Sequence, residues 1–153
     1  MSNQPNLSAT KVNANGDRSL ALSEFKGQPV VVYFYPRDNT PGCTKQGQGF
    51  RDHYDDFQAA GCEIIGISRD TVTSHDKFAA KHELPFPLLA DTDEALCREF
   101  DVIKEKNMYG KKVMGIERST FLFDADGNLV KEWRKVRVPG HVEEVLAAVR
   151  ELG

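Results

Sequence analysis

The chain has 153 residues, of which 40% are hydrophobic, 28% charged and 9% aromatic, with a formal charge of −3. This fits one globular domain over 1–153, large enough for a core without disulfide staples, and leaves no basic footprint for nucleic acid or an anionic membrane. No apolar run approaches the roughly 18 residues of a membrane span, and Met1–Lys11 lacks the charged-then-apolar order of a secretory leader.

Residues 1–18, rich in Asn, Ser and Gly, read as a loose lead-in with some extended structure, and Asn15-Gly16 is a hairpin turn signal. Leu20, Leu22 and Phe25 are candidates to pack on the domain. Val30–Tyr35 is an unbroken apolar and aromatic run, which suits a strand buried on both faces, and Pro36, without an N–H, should end it. Pro41 and Gly42 set a turn. A helix is expected after Cys43, with Phe50, Tyr54 and Phe57 on its apolar side, ending near Gly61. Gly47 and Gly49 weaken its first turns by about 1 kcal/mol each. Either that helix start must be able to loosen, or the glycines permit close packing.

Cys62–Ser68 reads as a second strand and Thr73–His82 as a helix with His75, Phe78 and His82 on one side. Leu84–Leu89, broken by Pro85 and Pro87, allows a loop with a short edge strand. Asp91 with Glu94 offers a start for a helix over Glu94–Phe100. Residues 103–115 have no clear period and read as a surface loop. Ser119–Phe123 and Leu129–Trp133 flank Asp126-Gly127, the clearest antiparallel hairpin. Arg134, Lys135 and Arg137 alternate with Val136 and Val138 and read as the polar face of a strand. Val142, Val145, Leu146, Val149 and Leu152 give a last amphipathic helix. This order implies an α/β chain with a mixed central sheet flanked by helices.

Cys43 stands out chemically. It follows a buried strand and a punctuated loop and falls in the first turn of a helix, where unpaired amides and the positive dipole end favour a thiolate. Helix starts and nearby cations bring reactive thiols from about 8.5 to roughly 3.5–7.5. Its neighbours Thr40, Gly42 and Thr44 form a polar loop where no core residue is wanted, so a reactive thiol is favoured over an inert buried one.

Pro36, Thr40 and Cys43 stand at the spacing P-x-x-x-T-x-x-C, which resembles the active-site signature of peroxiredoxins. Tyr33–Thr44 is similar to the bacterioferritin comigratory protein, or Q-type, branch. So are Gly66-Ile67-Ser68, Phe86–Asp91 and Arg118–Leu122 with Asp124 and Gly127, in the same order over most of the chain from about Leu20. The resemblance implies a thioredoxin-like fold with an N-terminal extension. It implies a thiol peroxidase acting on hydrogen peroxide and organic hydroperoxides, with Cys43 as the nucleophile that becomes a sulfenic acid. Thr40 would donate to the thiolate or peroxide, or else cap the helix. Pro36 would shield the thiol, a role that sits beside that of strand stopper. The amides of Gly42 and Cys43 are further donors. The family's catalytic arginine aligns at Arg118, whose planar charged fork suits thiolate and peroxide together; Arg37 ranks below it. Gln46 would orient the arginine, or be an exposed helix residue.

Resolution of the sulfenic acid departs from the relatives. The positions where Q-type members carry a resolving cysteine hold Gln48 and Ala79 here. Cys62 and Cys97 match neither, Cys62 starting a strand that enters the core and Cys97 lying between core candidates Leu96 and Phe100. A one-cysteine cycle with an external thiol, thioredoxin or glutathione/glutaredoxin, is therefore expected; an engineered removal of a resolving cysteine would look identical. Three widely spaced cysteines give no disulfide framework and suit a cytoplasmic protein with reduced thiols. A monomer or weak homodimer is expected. His53, His75, His82 and His141 join no cysteines at metal-ligand spacing and read as structural or surface residues. No glycine-rich phosphate motif indicates a nucleotide cofactor. The alternative is a redox sensor or thiol-dependent interaction protein using the same cysteine; a disulfide oxidoreductase is disfavoured because Cys43 has no C-x-x-C partner.

Overall fold

Val30–Phe34 (β3) places five apolar or aromatic residues in sequence, none more than 1% exposed. Such a strand has to lie at the centre of a sheet covered on both faces. The structure, a computed structural model that describes residues 6–152, puts it there. β3 pairs in parallel with Glu63–Ser68 (β4) and antiparallel with Ser119–Phe123 (β8). The seven-stranded mixed sheet is completed by Val12–Ala14 (β1), Arg18–Leu20 (β2), Leu88–Ala90 (β5) and Leu129–Trp133 (β9), in the order β2-β1-β5-β4-β3-β8-β9. A separate two-stranded ribbon pairs Ile103–Met108 (β6) with Lys111–Ile116 (β7).

The alternation of β3 sorts the core into two layers. Val31, Tyr33 and Tyr35 face one side and pack with Phe50, Phe57, Phe78, Val145 and Val149. These come from the helices Pro41–Asp52 (α1), Tyr54–Ala59 (α2), Val72–His82 (α3) and His141–Leu152 (α5). Val30, Val32 and Phe34 face the other, with Phe100, Phe121, Phe123 and Leu96 of Ala95–Glu99 (α4). Full burial of each large apolar side chain is worth about 1.5–3 kcal/mol, so the ring-rich layers carry the fold. No helix among the described residues is long and apolar enough to cross a membrane.

Four expectations are corrected. The helix expected to reach Gly61 is two, α1 and α2, divided at His53 (φ −101°, ψ 6°). Phe50 and Phe57 still enter one cluster, so the apolar period carries no trace of the break. β5 is not an edge strand, because β1 of the N-terminal hairpin covers the side expected to be open. Pro85 and Pro87 precede β5, and its Leu88 amide donates to Asn15 Oδ1 at 3.0 Å. Residues 103–115 form the β6–β7 hairpin, turning at Tyr109 and Gly110 with φ of 53° and 78°. Two successive positive φ values give the twist a two-residue hairpin needs, but exposure of most β7 side chains leaves no alternating pattern to read. The segment 134–138 is a loop, fixed by Val136 N donating to Arg118 O at 3.0 Å and by Arg134 reaching the Asp101 and Phe100 carbonyls. Of the lead-in, residues 1–5 lie outside those described.

Candidate active site

Cys43 is the third residue of α1, whose N-cap is Thr40 in an extended conformation, followed by Pro41 at the first helical position. The first helical hydrogen bond runs from Thr44 N to Thr40 O at 2.9 Å, so the amides of Gly42 and Cys43 precede the ladder. The sulfur is less open than the polar loop suggested: Cys43 is 2% exposed and belongs to the cluster containing Tyr33, Tyr35 and Phe50. Its flanks Gly42 and Thr44 are half-buried and Pro41 is exposed, so solvent reaches the helix start around the sulfur.

Arg118 reaches this sulfur from 75 residues away, its Nη2 lying 3.3 Å from Cys43 Sγ. The topology explains the meeting. Antiparallel pairing sets Phe34, the end of β3, opposite Ser119, the start of β8. Arg118 thus stands in the short link between β7 and β8, beside the loop that leads to α1, rather than inside a strand. Its Nη1 donates to Gln46 Oε1 at 2.6 Å. Gln46 is fully buried one turn after Cys43, which removes the reading of an exposed helix residue. Gly42 permits this packing: a Cβ there would lie 3.1 Å from Arg118 Nη2 and 4.0 Å from Val138 Cγ2.

Thr40 makes no side-chain cap bond; its hydroxyl donates to Arg37 O at 2.9 Å. Pro36 is half-buried just after β3, and Arg37 is exposed. Three features escaped the sequence. Lys106 of β6 donates from Nζ to the Ile116 carbonyl, and burial, then the Arg118 charge, hold its ammonium below the usual lysine value. Its alternation signal was lost in the exposed hairpin. Gln46 Nε2 and the Tyr33 hydroxyl are buried with no hydrogen-bond partner among the described residues. Burial, then the nearby Cys43 and Asp38, push the Tyr33 phenol well above its ordinary value, with Arg118 acting the other way.

The other cysteines are closed off. Cys62 is fully buried, its Sγ directed at Glu63 O at 3.3 Å, and burial followed by the Glu63 charge pushes its thiol up to about 12. Cys97 is fully buried and lies in the opposite core layer from Cys43; burial, then its hydrogen bond to Asp91, pushes its thiol strongly up. All three cysteines are unbridged. At the two positions where a resolving thiol was sought, Ala79 is buried in α3 and Gln48 Nε2 lies 3.3 Å from His82 Nδ1.

This geometry meets a consistent set of relatives. The family model for the AhpC/TSA family matches residues 3–132. Peroxiredoxin Bcp of Xanthomonas campestris is 54% identical over 91% of this chain and 87% of its own length. Peroxiredoxin Bcp of Bacillus subtilis is 47% identical over 94% and 93%. A solved structure of the Xanthomonas campestris bacterioferritin comigratory protein, described as giving insights into its alkyl peroxide reduction activity from trapped intermediate/ligand complexes, superposes with a TM-score of 0.91. It is 51% identical and covers 95% of this chain and 93% of that one. The seven-stranded mixed sheet with flanking helices is accordingly thioredoxin-like, and the chain belongs to the AhpC/TSA family, in the bacterioferritin comigratory protein (Q-type) branch of the peroxiredoxins.

Proposed function

We propose that the chain is a thiol peroxidase working through Cys43, with Arg118, Thr40, Pro36, Gly42 and Gln46 shaping the site. The observation that carries this is the Arg118 guanidinium 3.3 Å from Cys43 Sγ and hydrogen-bonded on its other arm to Gln46. The Cys43 thiolate attacks the terminal oxygen of a hydroperoxide. A sulfur–oxygen bond forms as the O–O bond breaks, leaving a sulfenic acid, and the other oxygen departs as hydroxide or alkoxide and takes up a proton. The charge growing on that oxygen needs fixed donors, which Arg118 and the amides of Gly42 and Cys43 supply at the helix start. Because the Thr40 hydroxyl gives its proton to Arg37 O, its lone pairs are available to accept the hydroperoxide O–H, orienting the terminal oxygen toward sulfur. Gln46 Nε2, buried without a partner among the described residues, is a further donor for bound peroxide. Pro36 keeps water from the thiol.

The cycle closes with an external thiol. Cys62 and Cys97 are buried and in the wrong ionisation state to attack, and Cys97 is in the other core layer from Cys43. Thioredoxin or glutathione with glutaredoxin would fill the role in a reducing, cytoplasmic setting. The same shortage of a nearby second thiol supports the second reading, a redox sensor whose sulfenic acid persists to oxidise a client. Steady-state peroxide consumption decides: continuous turnover with either reductant supports the peroxidase, and a single turnover with both supports the sensor. Arg118→Ala should slow peroxide attack about 100-fold or more, the scale of losing one preorganised donor; an unchanged stopped-flow rate would remove the arginine from its role.

A further inference from the structure

The loop that delivers Thr40 and the first turn of α1 carries one residue that the proposed chemistry does not use. Asp38 lies two residues before Thr40, and its carboxylate is buried, the side chain being 1% exposed. Three donors converge on it. Tyr35 O–H reaches Oδ1 at 2.6 Å, Ser74 Oγ reaches Oδ2 at 2.8 Å, and His75 Nδ1 lies 2.7 Å from Oδ2. His75 is fully buried, and its Nε2 lies 3.0 Å from Leu89 O of β5, so both ring nitrogens face acceptors. The Asp38 amide donates to Asp70 Oδ2 at 2.8 Å, an oxygen that also accepts from Ser68 Oγ at 2.6 Å. Between this anchored residue and Thr40 stands Asn39 with φ of 64°, a left-handed conformation held by its surroundings.

Asp38, Asp70 and His75 place ligand-type atoms within 4.8 Å of one another. The Asp38 and Asp70 oxygens that face this group are already taken by protein donors, and His75 Nδ1 is committed to Asp38. Hydrogen bonding accounts for the cluster without a cation. What it joins is specific: the end of β3, the start of α3 and the strand β5 are all tied to the loop ahead of Cys43.

We propose that Asp38 and His75 are positioning residues for peroxide reduction, fixing the 36–40 loop so that Thr40 and the helix-start amides hold their places around Cys43. This rests on the peroxidase reading above. The pair acts through the backbone rather than on the substrate, and misplacing reacting groups by about 1 Å costs on the order of 100-fold.

The test uses two substitutions of similar polarity that keep different halves of the His75 bonding. His75→Asn places an amide donor near the Nδ1 position and retains Asp38, whereas His75→Gln places it near Nε2 and retains Leu89 O. Stopped-flow rates with hydrogen peroxide are referred to the folded fraction measured by circular dichroism. Alkylation of Cys43 by iodoacetamide reports the thiol without the peroxide geometry. The expected result is that His75→Gln loses about tenfold in the peroxide rate, His75→Asn loses less than about threefold, and alkylation changes little in either. Equal peroxide rates in the two folded variants, or the reverse order, overturn the proposal. Should His75→Gln fail to fold, Tyr35→Phe removes one Asp38 donor without leaving a void. A loss of about threefold or more supports the pair, and a parental rate overturns it. A parent chain that reacts slowly with peroxide would instead refute the peroxidase reading itself.

Discussion

At the scale of single residues, the site depends on what is missing as much as on what is present. Gly42 has no side chain, and that space is filled by the Arg118 guanidinium, 3.1 Å from where a Cβ would stand. A methyl group there presses on the charged fork, which must give by a few tenths of an ångström beside the sulfur, while Val138 at 4.0 Å is an ordinary contact. Gly42→Ala is therefore expected to lower the rate with hydrogen peroxide by about tenfold to 100-fold, part of the loss expected on removing a preorganised donor altogether. Its helix position tolerates alanine, so a urea titration should find stability close to the parent; a large stability loss with a parental rate would reverse the assignment. The same scale separates the three cysteines. With Cys62 pushed up to about 12 and Cys97 also pushed strongly up, both remain neutral thiols at neutral pH. Cys62→Ser and Cys97→Ser should leave the first oxidation intact, and one equivalent of peroxide should add one oxygen to the parent's mass. Loss of two hydrogens instead would mean an internal disulfide and a second participating thiol.

At the scale of elements, the sheet centre is built to closer tolerance than its sequence pattern requires. Gly66 lies in β4, opposite Tyr33 of β3 and Leu88 of β5 in the parallel registers. A Cβ there would stand 2.8 Å from Leu88 Cδ2 and 2.9 Å from Tyr33 Cζ, both buried side chains that would have to shift. Overpacking of this kind costs about 1–3 kcal/mol, so Gly66→Ala should move the urea midpoint down by that equivalent. A variant as stable as the parent would mean that Tyr33 can swing aside. This crowding was not legible in the sequence, where Gly66 was only part of a strand; β3, β4, the β8–β9 hairpin and α5 were, because their apolar runs and turn residues are local signals. The β6–β7 hairpin was missed because its turn is encoded by Tyr109 and Gly110 at positive φ and its strands are largely exposed, leaving no alternation. Cys43 was singled out from its loop and its place in the first helical turn, whereas Arg118 beside the sulfur was expected only through the family resemblance, since the pairing that brings it there is long-range. The buried Asp38–His75 pair was invisible for the same reason: thirty-seven residues separate its halves.

At the scale of the whole molecule, acid stability should be set by a histidine that the proposed chemistry does not use. His141 opens α5, and its Nε2 lies 2.8 Å from Thr120 Oγ1 of β8 while its ring meets Trp133 of β9 edge-on at 5.7 Å. It therefore fastens the last helix to the sheet edge, and it does so as a neutral ring. Burial is the main cause that lowers its pKa from 6.5 to about 4. In the unfolded chain the ring takes up a proton near 6.5, whereas the folded chain resists until about 4. Between these values the unfolded state binds more protons, so stability is fully present above about 6.5 and is lost as pH falls toward 4, by about 3 kcal/mol in total. His82, lowered mainly by burial, adds a small slope of the same sign. Glu94, held low by Arg69 and Arg98, adds a loss at still more acid pH. His141→Gln keeps a polar partner for Thr120 but cannot titrate, so its stability measured by urea unfolding should be flatter than the parent's between pH 6.5 and 4, the two curves converging on the acid side. Parallel slopes for the two proteins would move the acid sensitivity elsewhere, and a variant that grows steeper would contradict the sign of the shift.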